Sequence, residues 1–287
     1  MPKHAYSVIR PSVLRSSVVF ASPHSGRDYP DWFIRKSVLD GHTIRSSEDA
    51  FVDRLFSEAP DLGSPLLLAG APRAFIDMNR GAAELDSAII EGAAPNKHNP
   101  RVASGLGVIP RVVANGRAIY QGKLPYAEAE RRIAKYWQPY HDRLGQLLAD
   151  AREEFGEAIL IDCHSMPHEA MDGVSQQGSR RPEIVLGDRY GGAAAQDIVD
   201  KVEAAFVGAG FVVTRNMPFA GAYVTQHYGR PSRRQHAIQI EIDRSLYMDE
   251  TLIKPLSSFA EFQSVMSKVV SDIIDIGISD QSALAAE

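Results

Sequence analysis

The chain has 287 residues, 44% hydrophobic and 23% charged, with a formal net charge of −5. That is an ordinary globular balance at a length that allows a sizeable core. Lys and Arg (31) are outnumbered by Asp and Glu (36) and form only short pairs such as Arg180-Arg181, which argues against a nucleic-acid partner. The single cysteine, Cys163, excludes an internal disulfide. With no secretory signal in the first twenty residues and no apolar run of spanning length, the expectation is a cytoplasmic protein with no membrane partner.

In chain order, seven apolar runs bounded by Gly, Pro or polar residues read as buried strands: 17–22, 65–70, 74–78, 158–162, 183–187, 211–215 and 237–242. Helical patterns are predicted over 47–58, where Phe51/Leu55 and Val52/Phe56 stand at i,i+4, and over 125–154, opened by Pro125. Two more cover 190–208 and 257–278. Segment 81–123, rich in Gly, Ala, Pro and Asn, reads as long loops over one face. No repeat or Gly/Ser linker divides the chain, so a single domain over 1–287 is expected. Strands alternating with helices predict an α/β fold, a mixed and mostly parallel sheet flanked by helices on both faces.

Ligands of such sheets sit beyond the carboxyl ends of the strands. Polar residues gather there four times: Pro23-His24-Ser25-Gly26, Asn79-Arg80-Gly81, Cys163-His164-Ser165 and Glu241-Ile242-Asp243-Arg244. A lone His in this position is more often structural. Two in matching contexts make a metal site competitive, because imidazole is the commonest zinc ligand and catalytic zinc takes three protein ligands. Glu48 or Asp49 in "RSSEDAFVDRLF" offers the third; the plain alternative is a pair of acids complementing a helix dipole behind a Ser46 or Ser47 cap.

Cys163 and Ser165 are weak nucleophile candidates. Cys163 and His164, adjacent on an extended chain, point to opposite faces, and neither "HSG" nor "CHS" matches Gly-x-Ser-x-Gly. Asp162 reads either as an orienting partner for a ligand or as a strand-end acid. Glu241 lies in an apolar run. It is either a general base for metal-bound water, or one of three residues (Gln239, Glu241, Asp243) facing outward from a half-exposed strand. Arg73, Arg80, Arg111 and Arg230 lie in short Gly- or Pro-flanked segments, as surface charges or as bidentate ligands for an acidic substrate.

The ordered set "PHSG", "EDAFVDRLF", "FIDMNRG", "GVIPR", "IDCHSMP", "IVLGDRYG", "PFAGAYVTQHYGRP" and "IQIEIDRSLYMDE" resembles the N-formylglutamate amidohydrolase family from about residue 17 to 250. The resemblance implies a zinc-exopeptidase-like (phosphorylase/hydrolase-like) α/β fold and one Zn²⁺ ion. It also implies hydrolysis of the N-formyl or similar N-acyl bond of a small acidic amino acid, such as N-formyl-L-glutamate to formate and L-glutamate. Position by position it implies His24, Asp49 and His164 as metal ligands. Glu48 stays the alternative acid, because "ED" stands where better-known members have "TD". It further implies Glu241 as general base and Asn79-Arg80 as the grip on a substrate carboxylate. Arg111 and Arg230 are expected at the substrate pocket, as are Tyr223 and His227, whose alternative is turn and packing residues. Competing readings are a zinc N-acyl-amino-acid hydrolase or carboxypeptidase with another substrate, and a non-catalytic binder of acidic small molecules. Oligomeric state is left open.

Overall fold

The Val-, Ile- and Leu-rich runs can be buried on both faces only inside a sheet covered by helices. The computed structural model, which describes residues 1–95, 99–174 and 180–278, has this arrangement. Its strands are β1 (Tyr6–Ile9), β2 (Val18–Ser22), β3 (Leu66–Ala69), β4 (Ala158–Met166), β5 (Ile184–Gly187), β6 (Val213–Arg215) and β7 (Gln235–Asp243), with a small hairpin of β8 (Met248–Asp249) and β9 (Lys254–Pro255). The seven-stranded sheet runs β1-β3-β2-β4-β7-β5-β6. Neighbours β3, β2, β4 and β7 are parallel; β1 joins β3 and β5 joins β7 antiparallel.

The helices are α1 (Asp31–Lys36), α2 (Val52–Leu55), α3 (Pro100–Ala103), α4 (Tyr126–Arg132), α5 (Gln138–Phe155), α6 (Gln196–Gly208), α7 (Tyr223–Tyr228) and α8 (Phe259–Ile276). Strand alternation sorts them into two layers. Phe20, Ile159, Ile161, Cys163, Ile238 and Ile240 face α2, α6 and α8. Val19, Ala21, Leu160 and Ala237 face α5 and the loops after β3. Asp162, His164, Gln239 and Glu241 share the parity of this second face. Among the described residues, no helix is long and apolar enough to cross a membrane.

Several predicted elements come out differently. Residues 74–78 are not a strand: Pro72 starts a single turn whose carbonyl accepts the Phe75 and Ile76 N–H groups at 2.9 and 3.1 Å. Its apolar residues are buried as a loop. The helix expected over 47–58 shrinks to α2, because Phe51 adopts a left-handed conformation (φ 67°) just before it. The helix over 125–154 is three pieces, α4 and α5 joined by a π turn at Ile133–Trp137. It ends at Gly156, whose φ of 72° is costly for other residues. The helix over 190–208 starts only at Gln196. The sequence reading missed β1, β8 and β9, all too short or too polar to show a run.

The glycine of "PHSG" has a packing reason. A Cβ on Gly26 would lie 2.3 Å from the Ala71 carbonyl oxygen, so no larger residue fits without moving the loop that carries His24. Gly26→Ala is expected to destabilise the protein by about 1–3 kcal/mol in urea or thermal unfolding. Gly41→Ala, whose Cβ meets only the Ile34 Cδ1 at 3.7 Å, should stay within about 0.5 kcal/mol of the parent.

Candidate metal centre and active site

β2 and β4 lie side by side, while the chain leaves β2 for β3 on the other side, which opens a crevice at their carboxyl ends. His24 follows β2 by two residues, and His164 is on β4 itself. Asp49 is brought in by the turn before α2, where its N–H donates to the His24 carbonyl at 3.1 Å. The two Nδ1 atoms are 3.1 Å apart. Asp49 Oδ2 is 3.3 Å from the His24 Nδ1 and 2.9 Å from the His164 Nδ1. With a tetrahedral zinc as yardstick, ligand atoms about 2.0–2.1 Å from the ion stand roughly 3.3 Å from one another. The triangle therefore has the size and the donors to hold one metal ion. Three protein ligands is also the count of catalytic rather than structural zinc sites.

Each candidate ligand is braced from behind, as metal ligands generally are. His24 Nε2 is 2.7 Å from Asp77 Oδ1, His164 Nε2 is 3.0 Å from Asp162 Oδ2, and Arg244 Nη2 donates to Asp49 Oδ1 at 3.0 Å. With the Nε2–H of each ring pointed at a carboxylate, both Nδ1 atoms are left for the centre. Asp77 is itself held by Arg73 Nε at 3.2 Å and the Asn79 N–H at 2.8 Å. Burial works against every one of these charges, but the partners outweigh it. Hydrogen bonds from His164 and His24 hold Asp49 well below the usual carboxylate range. His24, Arg80 and Arg73 do the same for Asp77. Asp162 and Asp49 hold His164 well above the usual imidazole value.

Glu241 sits opposite His164 in the β4–β7 register, and Gln239 sits opposite Asp162. Both are buried, so the reading of an outward-facing polar row fails here: β7 is a central strand. Gln239 Nε2 donates to Glu241 Oε1 at 2.9 Å. Burial, with the charge of Asp49, pushes the Glu241 carboxyl up to about 7 against the pull of His164, Arg73 and Arg244.

The centre forms the floor of a cleft of about 480 Å³. Arg80 reaches it, with Nε donating to the Leu106 carbonyl at 2.9 Å and Nη1 to the Asn79 carbonyl at 2.7 Å. Asn79 also reaches it, but its side chain is already engaged. Its Oδ1 accepts the Val224 N–H at 2.8 Å, and its Nδ2 donates to Asp162 Oδ2 at 3.3 Å.

Five sequence candidates lie elsewhere. Glu48 turns to Arg45, at 2.9 and 3.0 Å, and is not part of the ligand triangle. Arg111 fastens the loops, donating to Asp86 at 2.8 Å and to the Ala103 carbonyl at 3.1 Å. Arg230 caps α7 through the Gln226 and Gly229 carbonyls at 2.7 and 2.6 Å. Tyr223 and His227 stack on each other at 5.0 Å, with Trp137 beside Tyr223, as packing residues outside the cleft. Conversely, Asp77, Arg101, Gln239 and Arg244 belong to the site without having been singled out for it. Asp77 and Arg244 were inside quoted motifs ("FIDMNRG", "IEIDRS"), but only spatial neighbours reveal their roles.

A family model described as N-formylglutamate amidohydrolase matches residues 16–248. An N-formylglutamate deformylase of Pseudomonas aeruginosa is 30% identical over 269 residues, which is 91% of this chain and 92% of that protein. One from Pseudomonas putida is 29% identical over 245 residues, covering 83% and 84%. The crystal structure of an N-formylglutamate amidohydrolase from Ralstonia eutropha JMP134 superposes with a TM-score of 0.87 at 34% identity, over 95% of this chain and 98% of that one. Since the matching model spans most of the sequence and the curated similarity runs nearly end to end, the chain belongs to the N-formylglutamate amidohydrolase family.

Proposed function

We propose that the protein hydrolyses the N-formyl amide bond of an acidic amino acid, N-formyl-L-glutamate foremost, with a zinc ion held by His24 Nδ1, Asp49 Oδ2 and His164 Nδ1. The observation that carries this is the buried triangle of candidate ligands in a cleft that Glu241 and four arginines also line. The deformylase names of the relatives support the substrate. When bound, the ion acts as a Lewis acid towards the carbonyl and acidifies water in the site.

Glu241 takes the proton of the attacking water as its oxygen adds to the formyl carbon. It returns that proton to the amine nitrogen as the C–N bond breaks, releasing formate and glutamate. An ordinary carboxyl would be a poor acid for the second step, and burial works to raise this one. Gln239 fixes the Glu241 rotamer. Arg73, which feels both Asp49 and Glu241, faces the charge that develops on the carbonyl oxygen. Arg80 takes a substrate carboxylate, its backbone carbonyl held by Trp137 Nε1–H at 2.8 Å. Asn79, Asp77 and Asp162 position the ligands rather than the substrate.

Formate release from N-formyl-L-glutamate, abolished by chelation and restored by zinc, tests the reading; zinc-loaded protein that releases none overturns it. In metal analysis, His164→Ala is expected to lose the ion and Glu48→Gln to keep it. Asp77→Asn should weaken affinity about 10- to 100-fold.

Glu241→Gln should keep zinc and lose turnover by about 10²- to 10⁴-fold. The same change carries a stability signature. Folding raises this acid from 4.5 to about 7, so between those values the native state binds the extra proton and stability falls as pH rises. Above pH 7 the ionised Glu241 costs on the order of 3 kcal/mol. Chelator-treated Glu241→Gln should therefore unfold at higher temperature than the parent at pH 8, with the gain vanishing near pH 4.5.

A further inference from the structure

Four arginines line the cleft: Arg73, Arg80, Arg101 and Arg244. Arg73 is paired with Asp77 and Arg244 with Asp49. Among the described residues, Arg80 and Arg101 have no carboxylate within ion-pair distance. Arg80 is buried, whereas Arg101 stands exposed at the mouth. Its position is nevertheless fixed. Asn99 Oδ1 accepts the N–H groups of Arg101 and Val102 at 3.0 and 3.3 Å. Asn99 Nδ2 donates to Glu84 Oε2 at 2.7 Å, and Glu84 Oε1 accepts the Gly81 N–H at 2.7 Å. This ties α3 to the loop of Arg80. Arg101 Nη2 donates to the Gly221 carbonyl at 3.2 Å, while its Nε and Nη1 have no partner among the described residues. Burial, with the repulsion of Arg73 and Arg101, outweighs the pull of Asp77 and Glu84 on the Arg80 charge, and an anion lying between Arg80 and Arg101 would relieve that repulsion.

We infer that Arg101 binds the side-chain carboxylate of the substrate while Arg80 binds the α-carboxylate, so that Arg101 sets the preference for acidic over neutral N-formyl amino acids. The order follows from the substrate's own shape. The α-carboxylate is fixed beside the scissile amide and must meet the deeper guanidinium. The side-chain carboxylate stands two methylenes further out, towards the mouth. The inference rests on the functional reading above.

The test compares kcat/KM for N-formyl-L-glutamate and N-formyl-L-glutamine in the zinc-loaded parent, Arg101→Gln and Arg101→Lys. The parent should prefer glutamate. Arg101→Gln should lose about 10- to 100-fold on glutamate, mainly through KM, and change by less than about threefold on glutamine. Arg101→Lys should lie between them, and it carries the test should the Gln variant fail to fold. A glutamate-to-glutamine ratio unchanged in the variants, including an equal loss on both substrates, overturns the role of Arg101 alone. No turnover of either substrate by the parent overturns the functional reading and this inference together.

Discussion

Four carboxylates, Asp49, Asp77, Asp162 and Glu241, are buried together on one face of the sheet, and the rest of the site answers to that constraint. An uncompensated buried charge costs several kcal/mol. Asp49 is therefore pinned by Arg244, Asp77 by Arg73, and the two imidazoles are wedged between the acids. Glu241 has the weakest compensation and keeps its proton up to about 7. In the metal-free protein, the proton that His164 retains so strongly stands where a cation would do the same work. A divalent ion among the two Nδ1 atoms and the Asp49 oxygen would replace that proton, and its charge would draw Glu241 towards ionisation. Under the proposed function, metal binding and the readiness of Glu241 as base would be one electrostatic event.

Backbone geometry is what gathers the acids. The parallel register of β4 against β7 sets His164 beside Glu241 and Asp162 beside Gln239. Two-residue alternation then sends all four to the face away from α6 and α8, leaving Cys163 in the opposite core. The left-handed Phe51 breaks what would have been a longer helix and lets Asp49 turn inward. The π turn before α5 places Trp137 under the Arg80 carbonyl. Departures from regular structure thus cluster around the candidate site, a pattern seen often at π turns.

Much of this was legible in the sequence. His24 and His164 both follow apolar runs, and a strand that ends in imidazole twice marks one sheet edge. Residues closer to the chemistry were harder. Glu48 and Asp49 are neighbours with the same charge, and a few backbone angles decide that one faces Arg45 and the other the histidines. Arg80, Arg111 and Arg230 look alike in their Gly- and Pro-flanked settings. All three spend donors on carbonyls or Asp86, and they differ in where the fold sets them: Arg80 at the cleft, Arg111 against Asp86 and Arg230 at the end of α7, both away from it. Residues 74–78 have the composition of a strand, but Pro72 makes them a turn. No single stretch reveals that Arg101 overlooks the cleft, since the bonds of Asn99 and Glu84 that put it there join separate segments.

In the proposed centre, Nδ1 of His24, Nδ1 of His164 and a carboxylate oxygen of Asp49 hold a single ion. Anomalous diffraction at the zinc edge from zinc-loaded crystals addresses it directly. One peak is expected within about 2.0–2.1 Å of those three atoms, with Glu48 still on Arg45. A zinc ion bound through the Nε2 atoms, through Glu48, or away from Asp49 would contradict it.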